Sequence, residues 1–362
     1  MNSTVRTHAA IIAAIAVFVW LGGAAPAQAD REAYTVRNLV SDVNGAAEHT
    51  DPHLQNGWGV AFNPTAVVWV ASNGKGVSTL YDGDGNPQSL VVAVPGGNPT
   101  GIVFNPSSVA NPPGFVVSSG GKSGAAAFIF ATEAGIISGW SPAVDRNNAI
   151  PVVDNSASGA VYKGLALATD GHRFLLYAAD FHNKRIDVFD SSFHPVTVPG
   201  GFADSSVPSN WAPFNVQNIG GSIYVAYAQR EKEGDDEAHG RGLGMVNVFT
   251  AQGQLVRRIA KGGPLNAPWG MVIAPSDFGL WSNMLLIGNF GDGVINVYDP
   301  GRGRFVGQLQ TPDKEPIVIP GLWGLAFGNG LLNQPTNTLF FAAGPDDESH
   351  GLYGRIDVAP VP

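Results

Sequence analysis

The chain has 362 residues, a formal net charge of −9 and no cysteine. The missing thiols exclude disulfides, thiolate nucleophiles and cysteine-based zinc sites, and the acidic balance argues against nucleic acid or an anionic membrane as the main partner. Its 47 glycines and 26 prolines lie between apolar and aromatic stretches, where they read as turn punctuation among short strands.

The first element in chain order is a processing segment. Arg6 and His8 precede an apolar run from Ala9 to Leu21, and Ala27-Gln28-Ala29 fits a small-x-small cleavage site. This pattern predicts a signal peptide over residues 1–29, cleaved near Ala29, and a secreted or periplasmic mature chain. The run is short for a membrane span, and no later stretch is long and apolar enough to be one. Residues 30–362 are then expected to fold as one domain, a size that large all-β folds reach.

Within that domain a phrase recurs six times. It begins at Gly59 (WGVAF), Gly101 (TGIVF), Gly164 (KGLAL), Asn215 (FNVQN), Gly270 (WGMVI) and Gly324 (WGLAF), at spacings of 42, 63, 51, 55 and 54 residues. A second strand is predicted over 67–73, 114–120, 174–180, 222–228, 284–290 and 338–344. A third is predicted over 76–82, 126–132, 185–190, 245–250, 294–299 and 352–358, and a weaker fourth over 89–94, 149–154, 194–200, 254–259 and 304–309. Four strands per repeat at this period is a propeller blade. The sixth copy stops after its third strand, and the stretch 34–40 (YTVRNLV) is available to complete it. We therefore expect an all-β, six-bladed β-propeller closed by its N-terminal strand, which leaves no open sheet edge between first and last blades. A seventh blade hidden in the 63-residue spacing is the alternative. Glycine in each innermost strand suits strands that converge on a narrow axis.

Several stretches together carry a family resemblance: TDPHLQNGWGVAF (50–62), FIFATEAGIISGW (128–140), YAADFHNKRIDVFD (177–190), PLNAPWGMVIAP (264–275), GNFGDGVINVYDP (288–300) and GPDDESHGLYGRI (344–356). The chain resembles an exported bacterial family of largely uncharacterised six-bladed propellers, related in pattern to NHL-type repeats. The resemblance implies the fold and export, and brings no catalytic residues with it.

In a propeller, the loops leading into the innermost strands meet those leaving the second strands at one mouth of the central channel. Those two loop sets hold Asn73, Lys163, Asn183, Asn215 and Gln229 as candidate ligand-binding residues, and Lys122 is placed among them. Trp269 and Trp323 join them as rim aromatics, with packing between blades as their alternative role. Asp180 and His182 lie two apart in an extended segment and so share a face. They are the candidate catalytic pair, a carboxylate orienting a general base; the same spacing also suits a turn in which Asp180 caps backbone amides. Asp180, Asn215, Asn289 and Asp346 are candidate ligands for a divalent metal such as Ca²⁺. Two near-copies, Asp235-Asp236-Glu237-Ala-His239-Gly240 and Asp346-Asp347-Glu348-Ser-His350-Gly351, offer either cation ligands or solvated acidic loops. His49-Thr-Asp51-Pro-His53 is compatible with metal binding or with a polar turn. The glycine-rich runs at 83–85 and 120–124 lack the strand-to-helix setting of a phosphate loop.

Two functions remain open on these residues. One is a monomeric binding or scaffolding propeller that takes a small molecule, glycan or protein at the mouth. The other is a metal-assisted, lactonase-like hydrolase or lyase using the same mouth, with the metal as Lewis acid and Asp180 or His182 as base.

Overall fold

The computed structural model describes Met1 and residues 33–359; the expected signal peptide therefore lies outside the described residues. Six sheets surround an axis, antiparallel except where His49–Thr50 pairs parallel with the end of the N-terminal strand. The innermost strands are Gly57–Phe62, Pro99–Phe104, Tyr162–Thr169, Trp211–Ile219, Pro268–Ile273 and Leu322–Phe327, one for each predicted copy. The sixth blade is completed by Tyr34–Ser41, which pairs antiparallel with Leu352–Val358 in the register Tyr34↔Val358 and Arg37↔Arg355. Ring closure by the N-terminal strand is thus as expected. Among the described residues no helix is long and apolar enough to cross a membrane.

Burial follows from the way blades stack. Second strands such as Val68–Ser72, Leu285–Asn289 and Leu339–Ala343 are buried at every residue, because each is covered on both faces by neighbouring blades. They accordingly read as unbroken apolar runs with no alternation. Outer strands such as Leu255–Lys261 are largely open to solvent. The glycines of the inner strands answer to their neighbours more than to the axis. A Cβ at Gly270 would lie 2.5 Å from the Trp323 carbonyl oxygen, and one at Gly324 would lie 2.4 Å from that of Trp58. Any larger residue would push adjacent blades apart. In blade four Asn215 holds this position; its amide donates to the Trp269 carbonyl at 2.8 Å and fills the space beside Gly164.

Blades two and three correct the strand assignment. The stretch 114–120, expected as blade two's second strand, is instead half of an inserted hairpin, Val116–Ser119 with Lys122–Ala125. The second strand is Phe128–Thr132 and the third is Ile136–Trp140. The insertion accounts for the 63-residue spacing, and no seventh blade exists among the described residues. Blade three has three strands; the expected fourth, 194–200, contributes only a bridge between Phe189 and Pro195. The inserted hairpin reaches this thinner blade. Phe115, at its base, packs edge-on against Phe193 at 5.1 Å, and its N–H donates to the Ser191 carbonyl. A local apolar run with strand propensity cannot reveal which partner it will take, and this one pairs with itself.

Candidate functional site

The axis is closed at one end by an aromatic plug. Trp58 and Trp323 stack with centroids 3.5 Å apart, and Phe290 stacks on Trp323 at 3.9 Å. Trp269 stands edge-on to both tryptophans, at 6.0 Å from Trp58 and 5.8 Å from Trp323. All three tryptophans come from the start of an inner strand, where six chains converge and only flat rings can tile the gap. Trp323 Nε1 donates to Asn56 Oδ1 at 3.1 Å, and Trp269 Nε1 to the Lys163 carbonyl at 2.8 Å. Trp269 and Trp323, expected as ligand-binding aromatics or as packing, are 4% and 0% exposed and pack in this plug. Beneath it lies a cavity of about 30 Å³, lined by Gly59, Gly101, Asn215, Gly270 and Gly324, room for water alone.

Above the plug sits Lys163, 2% exposed. Its ammonium lies 5.5 Å from the Trp58 ring and 5.6 Å from that of Phe181. Three carboxylates surround it: Glu133 at 3.2 Å, Asp236 at 3.4 Å and Glu237 at 3.5 Å. Burial by itself would lower the lysine pKa, but Glu237, Glu133 and Asp236 together hold it above its ordinary value. Asn73 belongs to the same cluster, donating to Glu133 Oε2 at 3.0 Å.

A fourth carboxylate, Glu348, reaches this group from blade six. Burial and then repulsion from Glu237 push it up to about 7, against the pull of Lys163. It stands on a turn in which Asp346, Asp347 and Glu348 all have left-handed backbone, with φ of 54°, 50° and 64°. Such a run costs of order 1 kcal/mol per residue and persists only where surroundings impose it. Together with His239, Phe290 and Asp292, this turn lines a cleft of about 320 Å³ between blades five and six. His239 Nε2 is 3.7 Å from Glu237 Oε1, and that carboxylate raises the imidazole above its ordinary value. The His239 ring also meets Phe290 edge-on at 5.1 Å.

The other expected residues are placed elsewhere or otherwise engaged. Asp180 is fully buried and accepts from the backbone of Val161 and Asn183 and from the Asn183 side chain at 2.8 Å. This is the capping turn. His182 turns away from it and pairs with Asp235 of the next blade at 2.7 Å. Asn289 donates to Asp292 and to the Pro264 carbonyl. Gln229 lines an outer surface cleft with Lys184 and Arg230. Asp346 does line the mouth cleft. Asp51 is committed to Tyr81 and to His53. Among the described residues no group of three or more His, Asp or Glu side chains is disposed to hold a metal ion. Lys122 is exposed at the start of the second strand of the inserted hairpin, paired with Ser119.

The residue that sequence reasoning missed is Glu133. It was hidden by the shifted strands of blade two, since the loop leaving the true second strand is Thr132-Glu133-Ala134-Gly135. That tight turn between FIFAT and IISGW was the available signal.

No family model matches the chain. Two relatives are uncharacterized proteins of Acanthamoeba polyphaga mimivirus. L690 is 32% identical over 89% of this chain and 85% of its own length, and R648 is 34% identical over 89% of this chain and 80% of its own. The chain belongs to the family of these viral proteins; the resemblance had implied a bacterial one. Solved structures confirm the propeller. Virginiamycin B lyase from Staphylococcus aureus has a TM-score of 0.51 at 12% identity, covering 91% of this chain and all of that one. A glucose dehydrogenase has a TM-score of 0.53 at 15% identity, covering 90% of this chain and all of that one. A protein of unknown function from Bacteroides thetaiotaomicron has a TM-score of 0.54 at 12% identity, covering 90% of this chain and 77% of that one. At such identities the likeness speaks for the fold alone.

Proposed function

We propose that the protein is a binding or scaffolding propeller whose ligand seats at the channel mouth, above the aromatic plug. The observation that carries this reading is the cleft of about 320 Å³, walled by Phe290 and by polar groups of blades four, five and six. Pockets of this size, with an apolar wall and few convergent polar groups, are where small molecules bind. Export is part of the proposal and is supported by the apolar run from Ala9 to Leu21 and the small-x-small site Ala27-Gln28-Ala29. A fragment screen read on the tryptophan indole resonances tests the binding reading. Hits at the mouth that Phe290→Ala abolishes are expected; a screen that leaves the mouth resonances unmoved overturns it.

A second reading is a hydrolase or lyase assisted by a divalent metal such as Ca²⁺. It is favoured by Glu348 and His239, which line one cleft with carboxyl and imidazole both raised, as a proton-transferring pair would be. A rise in melting temperature with added Ca²⁺ and hydrolysis lost in Glu348→Gln are its expected signs. Unchanged melting with no hydrolysis across an ester and lactone panel removes it.

A further inference from the structure

The mouth gathers four carboxylates, Glu133, Asp236, Glu237 and Glu348, around the single ammonium of Lys163. Three of them are within 3.5 Å of that ammonium, and Glu348 stands beyond them on the cleft wall. The carboxylates outnumber that ammonium; Lys163 and Glu237 are buried, Glu133 is half-buried and Asp236 is open to solvent. One acceptor there is also unfilled. Glu237 is 7% exposed, and among the described residues its Oε2 accepts no hydrogen bond, although Lys163 Nζ stands 3.5 Å away. That oxygen is held by a long ion pair alone, which leaves it able to accept a further donor.

The cleft's other wall is apolar and aromatic. Phe290 is stacked on Trp323 and flanked by His239, and Val318 and Pro320 line the same cleft. A positive group on an aromatic floor with anionic neighbours is the environment in which amines and guanidinium groups are held. Lys163 already occupies one such place, above Trp58 and Phe181. The cleft beside it offers a second of the same chemistry.

Resting on the reading of the mouth as a binding site, we infer that its ligand is an organic cation, an ammonium or guanidinium group carried on an apolar body. The cationic head is placed beside Glu348 and Asp347 on the cleft wall, with Glu237 near enough to repel Glu348, and the apolar body lies against Phe290. In the free protein burial and then repulsion from Glu237 raise the Glu348 carboxyl; a bound cationic head offsets both.

Three probes sharing one aromatic body separate the charge from the shape: phenethylamine, 2-phenylethanol and 3-phenylpropionate. Each is titrated into the full chain by calorimetry, with the indole resonances locating the site. Phenethylamine is expected to bind at least about tenfold more tightly than the alcohol, with the carboxylate weakest. Glu348→Gln is expected to reduce that preference about tenfold, and Glu237→Gln to do the same. Should Glu237→Gln fail to fold, Glu348→Gln, on a partly exposed turn, carries the test. Equal binding of alcohol and amine, or an undiminished preference in Glu348→Gln, overturns the inference and leaves the binding reading standing. If none of the three moves the mouth resonances the inference also falls; the binding reading falls only if the wider fragment screen is silent there too.

Discussion

Two loops of nearly the same sequence, Asp-Asp-Glu-Ala-His-Gly at 235–240 and Asp-Asp-Glu-Ser-His-Gly at 346–351, leave the second strands of blades four and six and meet at one mouth. Their fates differ. In blade four Glu237 is buried beside Lys163 and His239 turns inward to it. In blade six Glu348 rests on a left-handed turn with its carboxyl raised to about 7, and His350 turns outward to Asp42 at 3.1 Å. The difference comes from the neighbours. Lys163 lies beside the first loop, so its carboxylates are paired. In the second loop burial of Glu348 and then repulsion from Glu237 outweigh the pull of Lys163, so its carboxyl resists ionisation.

Breaking the shared element is expected to have the largest effect. Lys163→Met leaves the buried Glu237 without its cation, with Glu133 half-buried and Asp236 exposed beside it, and we expect a loss of about 3 kcal/mol in urea unfolding. Because the folded lysine pKa is raised, the stabilisation it brings is complete below its unfolded value of about 10.4. It disappears as pH rises through the still higher folded value. A variant as stable as the parent at pH 7 would remove the anchoring role.

The two glutamates should then respond with opposite signs. Glu237→Gln weakens the pairing of Lys163 and is expected to destabilise by about 2 kcal/mol at neutral pH. Glu348→Gln removes a strained charge and is expected to stabilise by about 2 kcal/mol at pH 8. The sign follows from its raised folded value, about 7. The ionised carboxyl penalises the folded state above that pH, and the penalty is relieved as pH falls from about 7 toward the unfolded value of about 4.3. The gain should therefore vanish below that range. Equal signs for the two variants would contradict the comparison.

The histidines sharpen it at smaller scale. In NMR titration His239 is expected to lose its proton at higher pH than an ordinary histidine, and to return toward the ordinary value in Glu237→Gln. His350→Asn, which gives up an exposed pairing with Asp42, is expected to cost under about 1 kcal/mol and to leave the His239 titration unmoved.

Much of the mouth was legible before any coordinates. The loops that enter inner strands and leave second strands do converge, bringing Asn73, Lys163 and Asp346 to it. Asp180 and His182 take separate partners in the structure, because a two-residue spacing says only that side chains share a face. Backbone amides claimed the aspartate, and Asp235 of another blade claimed the histidine. Glu133 was missed because an inserted hairpin mimicked the strand expected before it.

By itself the sequence determined the number of blades, the closing strand and the mouth's location. These rest on local pattern: short apolar runs, turn residues and a glycine where blades press together. Packing between blades buries Lys163, brings Glu133, Asp236 and Glu237 to it, and gives two matching loops different neighbours. Those properties are set by distances between blades, and electrostatic energy in a buried site depends on such distances and on excluded water, neither of which has any signature along the chain.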